Sequence, residues 1–593
     1  MCRPTFSQII ELQRDKAALK AFIVTLKRST DDEREKLLLA AVDESDTVSV
    51  PRGTDVPDSN SQDRDQDHEP EVEQPLSKQQ SRLRRHPIGY LETPVVSSDD
   101  ELDIAHFISV DDTGEASSFG PSSALHNPAK SETGNSPSRH TETQDIERNG
   151  LIAKAALQRH LEHGLNRMPA IDGVPTDLAL HLLNVHWARQ HHTFLLTYRP
   201  AIMRDLQCAG PNCSNFLLNA IFACSSKFSQ IPEARENPND LGTAGRRFFR
   251  RCDELLASES LLTRPLITTI IGLLLLGSTY NARGDTSKGW LYTGYALRMV
   301  YDMGLHLDPK QTTTSPEEVE IRRRVFWGAF VCDKLQSLYL GRPVAINIRD
   351  AQVSHEFIDM YEETEPFTLP ALSSGSSPGL PIGFGDSMPL RSVTTFQQLC
   401  LLSRIMTTII NRFYVVGATF SNAQNSLQQV DKALQQWREN LSPDLDFQPW
   451  LSPMATPYQP PNIMVLHCLY HSLIILLHRP FISDGHLRSE APPVRSWERC
   501  TVAARCITSI ALSYQSAFTL SGAPYVLGYT IYVACTIHVR NAAQDQSGDH
   551  LSLLKASLRC LEELRYANPG VTKPANIVRR LIEVNKLDLG PGK

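Results

Sequence analysis

The chain has 593 residues, enough for two or more domains and a large buried core. Its 59 Lys and Arg residues are outnumbered by 66 Asp and Glu residues, so the formal net charge is −7. This balance excludes the strongly basic surface of many nucleic-acid-binding proteins, and the composition, 41% hydrophobic and 21% charged, is that of a soluble globular protein.

Residues 1–44 are predicted to form helices that dimerise as a short coiled coil. Apolar residues recur there in steps of three and four, with Lys16 at one otherwise apolar position. Such spacing places an apolar seam along one side of a helix, and two seams pack together in a coiled coil. The seam residues are Ile9, Leu12, Leu19, Ile23 and Leu26. The alternative is an amphipathic helix that packs on its own domain.

Residues 45–150 are predicted to be a disordered linker. Ser, Asp, Glu, Pro and Gln dominate the segment, and it has too few apolar residues to offset the entropy lost on folding. Its first half is acidic, and a basic patch follows at Lys78, Arg82, Arg84 and Arg85. That patch is either a nuclear import signal or ordinary solvated linker charge.

Residues 151–593 are predicted to be one all-α domain, because apolar residues recur at helical spacing between short Gly, Pro or polar breaks. The best-marked helix has Ser315 as N-cap, Pro316 at its first position, Glu318 completing a capping box, and Gly341 at its end. A Gly-, Pro- and Ser-rich loop covers about 366–390. The predicted helices lie near 176–190, 214–229, 243–260, 264–281, 286–304, 315–340, 391–420, 423–440, 461–478, 495–520, 525–543, 550–566 and 573–586.

Cysteine usage and the N-terminus favour an intracellular protein without a membrane span. The twelve cysteines are scattered, mostly in apolar runs, as buried free thiols are in a reducing compartment. The N-terminus lacks the basic-then-apolar pattern of a secretory signal. The most apolar run, 266–276, is shorter than the ~20 residues that a membrane-spanning helix needs.

The motifs of common enzymes and metal sites are absent or out of context. Residues 99–103, DDELD, have the spacing of a magnesium-binding DDxxD motif, but they lie in the polar linker and favour an acidic surface stretch. Cys208 and Cys213 lack the second ligand pair that structural zinc requires. Phosphate-binding loops, nucleophile elbows and HExxH sequences are missing. We therefore predict no catalytic residue, no metal ligand and no cofactor in this chain; an enzyme that uses residues 99–103 is a remote alternative.

Three stretches together resemble the fungal-specific transcription factor domain. Residues 289–306 are similar to its W-x-x-x-G-x-A-x-R-x-A-x-x-L-G-L-H signature, 322–343 to its RRR-x-F-W … D … GRP segment, and 476–481 to its LHRPF segment. The resemblance implies an all-α regulatory domain in a nuclear transcription regulator. The motif residues are Trp290, Arg298, Gly304, His306, Arg323, Arg324, Phe326, Trp327, Asp333, Gly341, Arg342, Pro343, His478, Arg479 and Pro480.

A fourth stretch narrows the resemblance. Residues 109–123 are similar to the DxTGxxxxFGPSS linker of regulators like the nitrate-assimilation activator. The N-terminal helices also resemble the coiled coil that follows the zinc cluster in that group. The resemblance covers roughly 1–45 and 105–500. It implies DNA, a homo- or heterodimer partner and the transcription machinery as partners, and no membrane.

One departure from the family bears directly on function. The family reads DNA through a binuclear zinc cluster of six cysteines placed before the coiled coil, but here the only cysteine before Cys208 is Cys2. Zinc is therefore expected only if a cysteine cluster lies upstream. Either an upstream exon is missing, or the chain is a natural variant without the DNA reader. In the second case it could inhibit by pairing with a full-length factor.

The same motif residues also carry packing predictions. Trp290, Leu291, Tyr295, Met299 and Met303 recur at helical spacing and are expected to face inward. Gly304 is expected to end its helix, with Leu305 folding back onto it. An arginine among 322–324, or Arg342, is expected to pair with a buried acid such as Asp333, because its guanidinium offers two hydrogen bonds at once.

Overall fold

The computed structural model describes residues 108–110, 116–118, 123–124, 140–168, 170–308, 315–367, 388–450, 459–488, 495–545 and 549–589. Three sets of predicted features lie outside these residues. They are the seam residues Ile9, Leu12, Leu19, Ile23 and Leu26, the basic patch Lys78, Arg82, Arg84 and Arg85, and the acidic stretch 99–103.

The described part of the chain is almost entirely helical, in agreement with the predicted all-α fold. Every helix predicted between residues 176 and 586 is present, with ends that differ by a few residues at most sites. The helices are α1 (His140–Leu161), α2 (Thr176–Arg189), α3 (His191–Phe194), α4 (Arg199–Cys208), α5 (Asn215–Ser225), α6 (Arg246–Ser258), α7 (Ile267–Arg283), α8 (Thr286–Asp302), α9 (Pro316–Leu340), α10 (Tyr361–Thr364), α11 (Ser392–Phe413), α12 (Phe420–Glu439), α13 (Pro461–His478), α14 (Ser496–Phe518), α15 (Tyr525–Gln544), α16 (His550–Leu564) and α17 (Thr572–Val584).

The capping signals of α9 work as predicted. The Ser315 hydroxyl accepts a hydrogen bond from the Glu318 backbone N–H at 3.5 Å, and Pro316 occupies the first turn. Gly341 ends the helix with φ +64°, a left-handed conformation that costs glycine little. Local sequence therefore fixes both ends of the longest helix.

The predicted linker 45–150 contains regular structure near its C-terminal end. Strands β1 (Ile108–Val110) and β2 (Ala116–Ser118) pair antiparallel. Helix α1 begins at His140, so the boundary predicted at 150/151 falls inside a helix. The buried stripe of α1 is narrow, with Leu151 and Ala155 as its buried apolar residues. A polar helix of this kind gives little periodic signal in the sequence.

Two long helices form the centre of the core. Helix α9 packs against α7, α8 and α11, and α13 packs against α11, α12, α14 and α15. Of the described helices, α13 with the turn that follows it is the one long and apolar enough to cross a membrane, but 89% of that window is buried inside the fold. Its apolar surface is thus covered by neighbouring helices.

The inward face of α8 differs from the one predicted. Met299 is buried and Trp290 and Met303 are half-buried, but Leu291 and Tyr295 are 60% and 46% exposed. The inward stripe instead consists of Gly289, Thr293, Ala296, Leu297 and Val300. Small residues at its start let α7 approach closely, and this requirement outweighs burial of the larger side chains.

Adding a methyl group should have opposite effects on stability at two glycines of α8, Gly289 and Gly294. A Cβ at Gly289 would lie 2.7 Å from the Gly277 carbonyl oxygen of α7, whereas a Cβ at Gly294 meets nothing within 4 Å. Overpacking should cost Gly289→Ala about 1–3 kcal/mol of unfolding free energy. Gly294→Ala should gain up to about 1 kcal/mol from helix propensity. Urea unfolding of both variants is the measurement; equal stabilities would show that the helices can separate at no cost.

Candidate functional site

Helix α9 carries the arginine-rich family motif, and several of its charged side chains are buried. Arg324, Asp333 and Lys334 are at most 1% exposed, and Arg323 is 4% exposed. A buried charge is costly unless it is paired and hydrogen-bonded, so the partners of these residues decide what the site does.

Arg324 lies at the centre of a buried network of charged groups. Its Nε donates to Glu320 Oε1 at 2.7 Å, and its Nη1 donates to Glu362 Oε2 at 2.7 Å. The guanidinium also lies over the Tyr198 ring, 5.0 Å from the centroid. Burial alone would lower the pKa of Arg324, but the two carboxylates outweigh it and raise that pKa. One arginine thus joins α9, the α10 segment and the chain just before α4.

The network continues from Glu362 to one histidine of α3 and one of α2. His191 Nε2 lies 2.6 Å from Glu362 Oε1, and His191 Nδ1 lies 2.8 Å from the Thr197 hydroxyl. His186 Nε2 contacts the same hydroxyl at 3.0 Å. Burial tends to raise the pKa of Glu362, but His191 and Arg324 hold it well below its usual range. Burial lowers the pKa of His186 to about 3, so this ring is neutral at physiological pH.

Two more acids complete the network through the backbone of residues 358–361. Glu320 Oε2 accepts from the Ile358 N–H at 2.6 Å. Asp359 accepts from the Tyr198 hydroxyl at 2.7 Å and from the Tyr361 N–H at 2.9 Å. Burial raises the pKa of both carboxyl groups, and Arg324 partly offsets it. The irregular segment before α10 is therefore fixed by carboxylates.

The neighbouring Arg323 fixes the start of the same segment. Its Nη2 donates to both carboxylate oxygens of Asp308, at 3.0 and 2.8 Å, and its Nη1 donates to the Glu356 carbonyl at 2.9 Å. Asp308 also accepts from the Ser354 N–H at 2.9 Å. The Trp327 indole N–H donates to the Ser354 carbonyl at 2.9 Å, so two residues of the RRR-x-F-W motif hold one loop.

The prediction that an arginine pairs with Asp333 is wrong, although the motif arginines do pair with buried acids. Asp333 accepts from Lys334 Nζ at 2.7 Å and from the Ala345 and Ile346 N–H groups at 3.0 and 2.9 Å. Lys334 also donates to the Ile346 carbonyl. Arg324 and Asp333 lie nine residues apart on one helix, about 13 Å at 1.5 Å per residue, which exceeds the reach of an arginine.

The other residues of the first two motif segments have mainly packing positions. The Arg342 guanidinium lies over the Trp290 ring at 5.1 Å, which joins the two segments. Gly304 has φ +64°, and the Leu305 N–H donates back to the Val300 carbonyl at 2.9 Å, as predicted for this helix end. His306 is buried beside Tyr301 with ring centroids 4.8 Å apart, and Arg298 is exposed. The remaining motif residues here include buried Phe326 and the turn residues Gly341 and Pro343.

The third motif segment makes contacts of its own. His478 Nδ1 lies 3.2 Å from the Ser496 hydroxyl, and its Nε2 lies 3.5 Å from Asp431 Oδ1. The Pro480 carbonyl accepts from the Leu487 N–H at 2.9 Å, while Arg479 is half-buried. These contacts tie the end of α13 to α12 and α14.

Sequence reasoning missed the residues that complete the network, namely His191, Tyr198, Asp359 and Glu362. The one available signal was indirect, since buried arginines need acids and 359–365 is the acid-rich stretch that follows them. The network consists of paired groups, and Thr197, His191 and Glu362 within it are all buried. In the part of the chain that the structure describes, no group of three or more His, Cys, Asp or Glu side chains is placed to hold a metal.

Comparison with known proteins places this network inside a recognised domain. The model of the fungal specific transcription factor domain matches residues 183–439, which include α9 and all the acids that pair with it. An uncharacterized transcriptional regulatory protein of Schizosaccharomyces pombe is 31% identical over 57% of this chain and 53% of its own length.

Two relatives are named for nitrogen assimilation. The nitrogen assimilation transcription factor nirA of Emericella nidulans is 28% identical over 61% of this chain and 40% of its own length. The factor nit-4 of Neurospora crassa is 27% identical over 68% of this chain and 36% of its own length. The chain thus spans about half or less of the length of these relatives. With motif segments in place on α8 and α9, residues 183–439 match the fungal specific transcription factor domain.

Proposed function

We propose that this protein regulates transcription in the nucleus, with the helical body from α1 to α17 as its regulatory part. The observation that carries the proposal is the buried network of Arg324, which lies within the matched domain and uses the family's motif residues. The relatives are named as transcription factors or transcriptional regulatory proteins, and this favours regulation over catalysis.

The charges of the body argue that DNA is contacted elsewhere. Arg323, Arg324 and Lys334 of the motif form ion pairs with acids of the same chain and are buried. Phosphate contacts need exposed Lys and Arg residues, and the whole chain is acidic. We therefore assign DNA contact to a zinc cluster in a longer form of the protein or to a dimer partner. The seam 9–26 is the proposed dimerisation element.

A tethering experiment tests the regulatory function without knowledge of the DNA site. The full chain is fused to a sequence-specific DNA-binding module and expressed in a fungal host with a reporter that carries the matching operator. We expect reporter transcript levels to change, upward or downward, when the operator is present. A reporter without the operator is the control, and an inert, well-expressed fusion would contradict the proposal.

A second measurement separates the regulator from an inhibitor. The native transcript is mapped at its 5′ end, and the chain is co-expressed with a full-length relative. If upstream codons supply six cysteines at cluster spacing, the protein reads DNA itself. If they do not, and co-expression lowers the output of the relative while the tethered chain is inert, the chain acts by titrating its partner.

A further inference from the structure

Three adjoining cavities lie where the end of α2 and helix α3 meet α11, α13 and α15. Thr193 lines all three, and their empty volumes are about 340, 570 and 350 Å³. The largest is bounded by residues of α2, α3, α7 and the start of α15. These volumes include space that is open to solvent. Apolar clefts between packed helices that carry a few polar groups are common places for small-molecule sites.

The wall of the largest of the three cavities is mostly apolar and carries a few polar groups. Phe194, Leu274, Leu275, Phe228 and Val526 supply apolar surface. The charged groups are Arg189 and Lys227, and the neutral polar groups come from Gln190, Thr193, Ser278, Thr279 and Tyr525. Asp and Glu are absent from the described residues that line this cavity. The lining therefore combines an apolar body with an excess of positive charge.

The two half-buried cations of the cavity differ in their partners from the fully buried cations of this protein. Arg324 and Lys334 each have a carboxylate within 2.7 Å. Among the described residues, neither Arg189 nor Lys227 has a carboxylate at ion-pair distance; Lys227 Nζ donates to the Asn568 side-chain oxygen at 3.0 Å. Burial lowers the pKa of Arg189, and it lowers the pKa of Lys227 to about 8. Both side chains are thus positively charged at neutral pH and lack a negative partner.

Unused acceptors and hydroxyl groups lie in the adjoining cavities. The Thr395 hydroxyl oxygen and the Asn462 side-chain oxygen are buried, and neither has a hydrogen-bond partner. Both residues line the cavity of about 340 Å³, and Asn462 also lines the one of about 350 Å³. A buried polar group without a partner costs about 1–3 kcal/mol, so such groups mark places where a ligand or water completes the bonding.

We propose that the largest of the three cavities binds a small organic anion that has an apolar body and one carboxylate. This carboxylate would pair with Arg189 and Lys227. The apolar body of the ligand would lie along Phe194, Leu274 and Leu275. The ligand would bridge α2, α7 and α15, which are distant in the chain, so its binding would stabilise their packing. This proposal deepens the proposed function, since it gives the regulator a ligand, but its test uses neither DNA nor a reporter.

Binding of 2-naphthoate to the purified full chain tests the proposal. Calorimetric titration should show saturable binding, and the probe should raise the melting temperature of the protein. The neutral isostere 2-naphthamide should bind at least about tenfold more weakly, because it forgoes a charge-assisted hydrogen bond. Inorganic phosphate, which has the charge without the apolar body, should not bind.

Matched variants locate the site. Arg189→Met and Lys227→Met should each weaken naphthoate binding at least about tenfold, whereas Lys288→Met should leave it unchanged. Lys288 is a lysine in a partly exposed ion pair with Asp253, away from the cavity lining. Gly522→Ala should also weaken binding while all charges remain, because its Cβ would lie 2.0 Å from Arg189 Nη1 and displace the guanidinium.

The stability of the unliganded variants provides an independent check. Removing a half-buried cation that has no carboxylate partner should leave the melting temperature of Arg189→Met and Lys227→Met equal to or above that of the wild type. Absence of naphthoate binding to the wild type would overturn the proposal. So would equal binding of naphthoate and naphthamide, or binding unchanged by Arg189→Met and Gly522→Ala. If the chain fused to a DNA-binding module fails to change reporter transcription, only the proposed function is contradicted. The naphthoate-binding results do not depend on that experiment.

Discussion

Replacing Arg324 with methionine should lower the free energy of unfolding by about 3–5 kcal/mol, because the change leaves the buried carboxylates of Glu320 and Glu362 without their shared cation. Methionine keeps most of the side-chain length, so the loss reports charge and hydrogen bonding more than volume. Of the groups that pair with Glu362, only His191 would then remain. A loss of this size is a large part of the stability of a typical domain.

Arg322→Met is the matched control, since it makes the same change two residues away on the same helix. Arg322 pairs with the exposed Glu318, and surface pairs of this kind contribute about 0–1 kcal/mol. Urea unfolding followed by tryptophan fluorescence compares the two variants. Adding Glu320→Gln and Glu362→Gln to Arg324→Met should restore part of the lost stability. Equal midpoints for Arg322→Met and Arg324→Met would show that the network contributes nothing.

Asp333→Ala should be of comparable severity, at about 3–5 kcal/mol, because it leaves Lys334 as a fully buried charge without its carboxylate. The change also removes the acceptor of the Ala345 and Ile346 N–H groups. Burial already lowers the pKa of Lys334, and Asp333 is the group that offsets this effect. Without Asp333, the protein must either bury a bare ammonium or release its proton.

The control for Asp333 is Asp253→Ala, which breaks a partly exposed pair with Lys288 and should cost no more than about 1 kcal/mol. Thermal and urea unfolding of both variants give the comparison. The double variant Asp333→Ala, Lys334→Met should be more stable than Asp333→Ala alone, because the unpaired charge is then absent. If the second substitution brings no recovery, the damage lies in the lost backbone hydrogen bonds and not in the charge.

Helix positions followed from the sequence wherever the apolar pattern was strong or the ends were capped. Ser315, Pro316 and Gly341 fixed the limits of α9 without any tertiary information. Helix α1 was missed entirely because its buried stripe is narrow. Leu291 and Tyr295 were placed inward wrongly because the inner face of α8 was chosen by a close helix crossing, which size and hydrophobicity do not encode.

The sequence predicted the arginines of the candidate site but not the residues that pair with them. A motif arginine was expected to pair with a buried acid, and Arg324 does so, while Arg323 pairs with the half-buried Asp308. Their partners could not be named, because Glu362 is 38 residues from Arg324 and His191 is 171 residues from Glu362. Contacts between elements so distant in the chain depend on packing geometry. No local spacing records them.

The segment between α9 and α10 owes its course to its amide groups more than to its side chains. The N–H groups of Ala345, Ile346, Ser354 and Ile358 donate to the carboxylates of Asp333, Asp308 and Glu320. Any residue except proline supplies such a donor. The segment can therefore drift in sequence during evolution while keeping its path, provided that the carboxylates beside it stay fixed. Its amide hydrogens should exchange with solvent about as slowly as those of a buried helix.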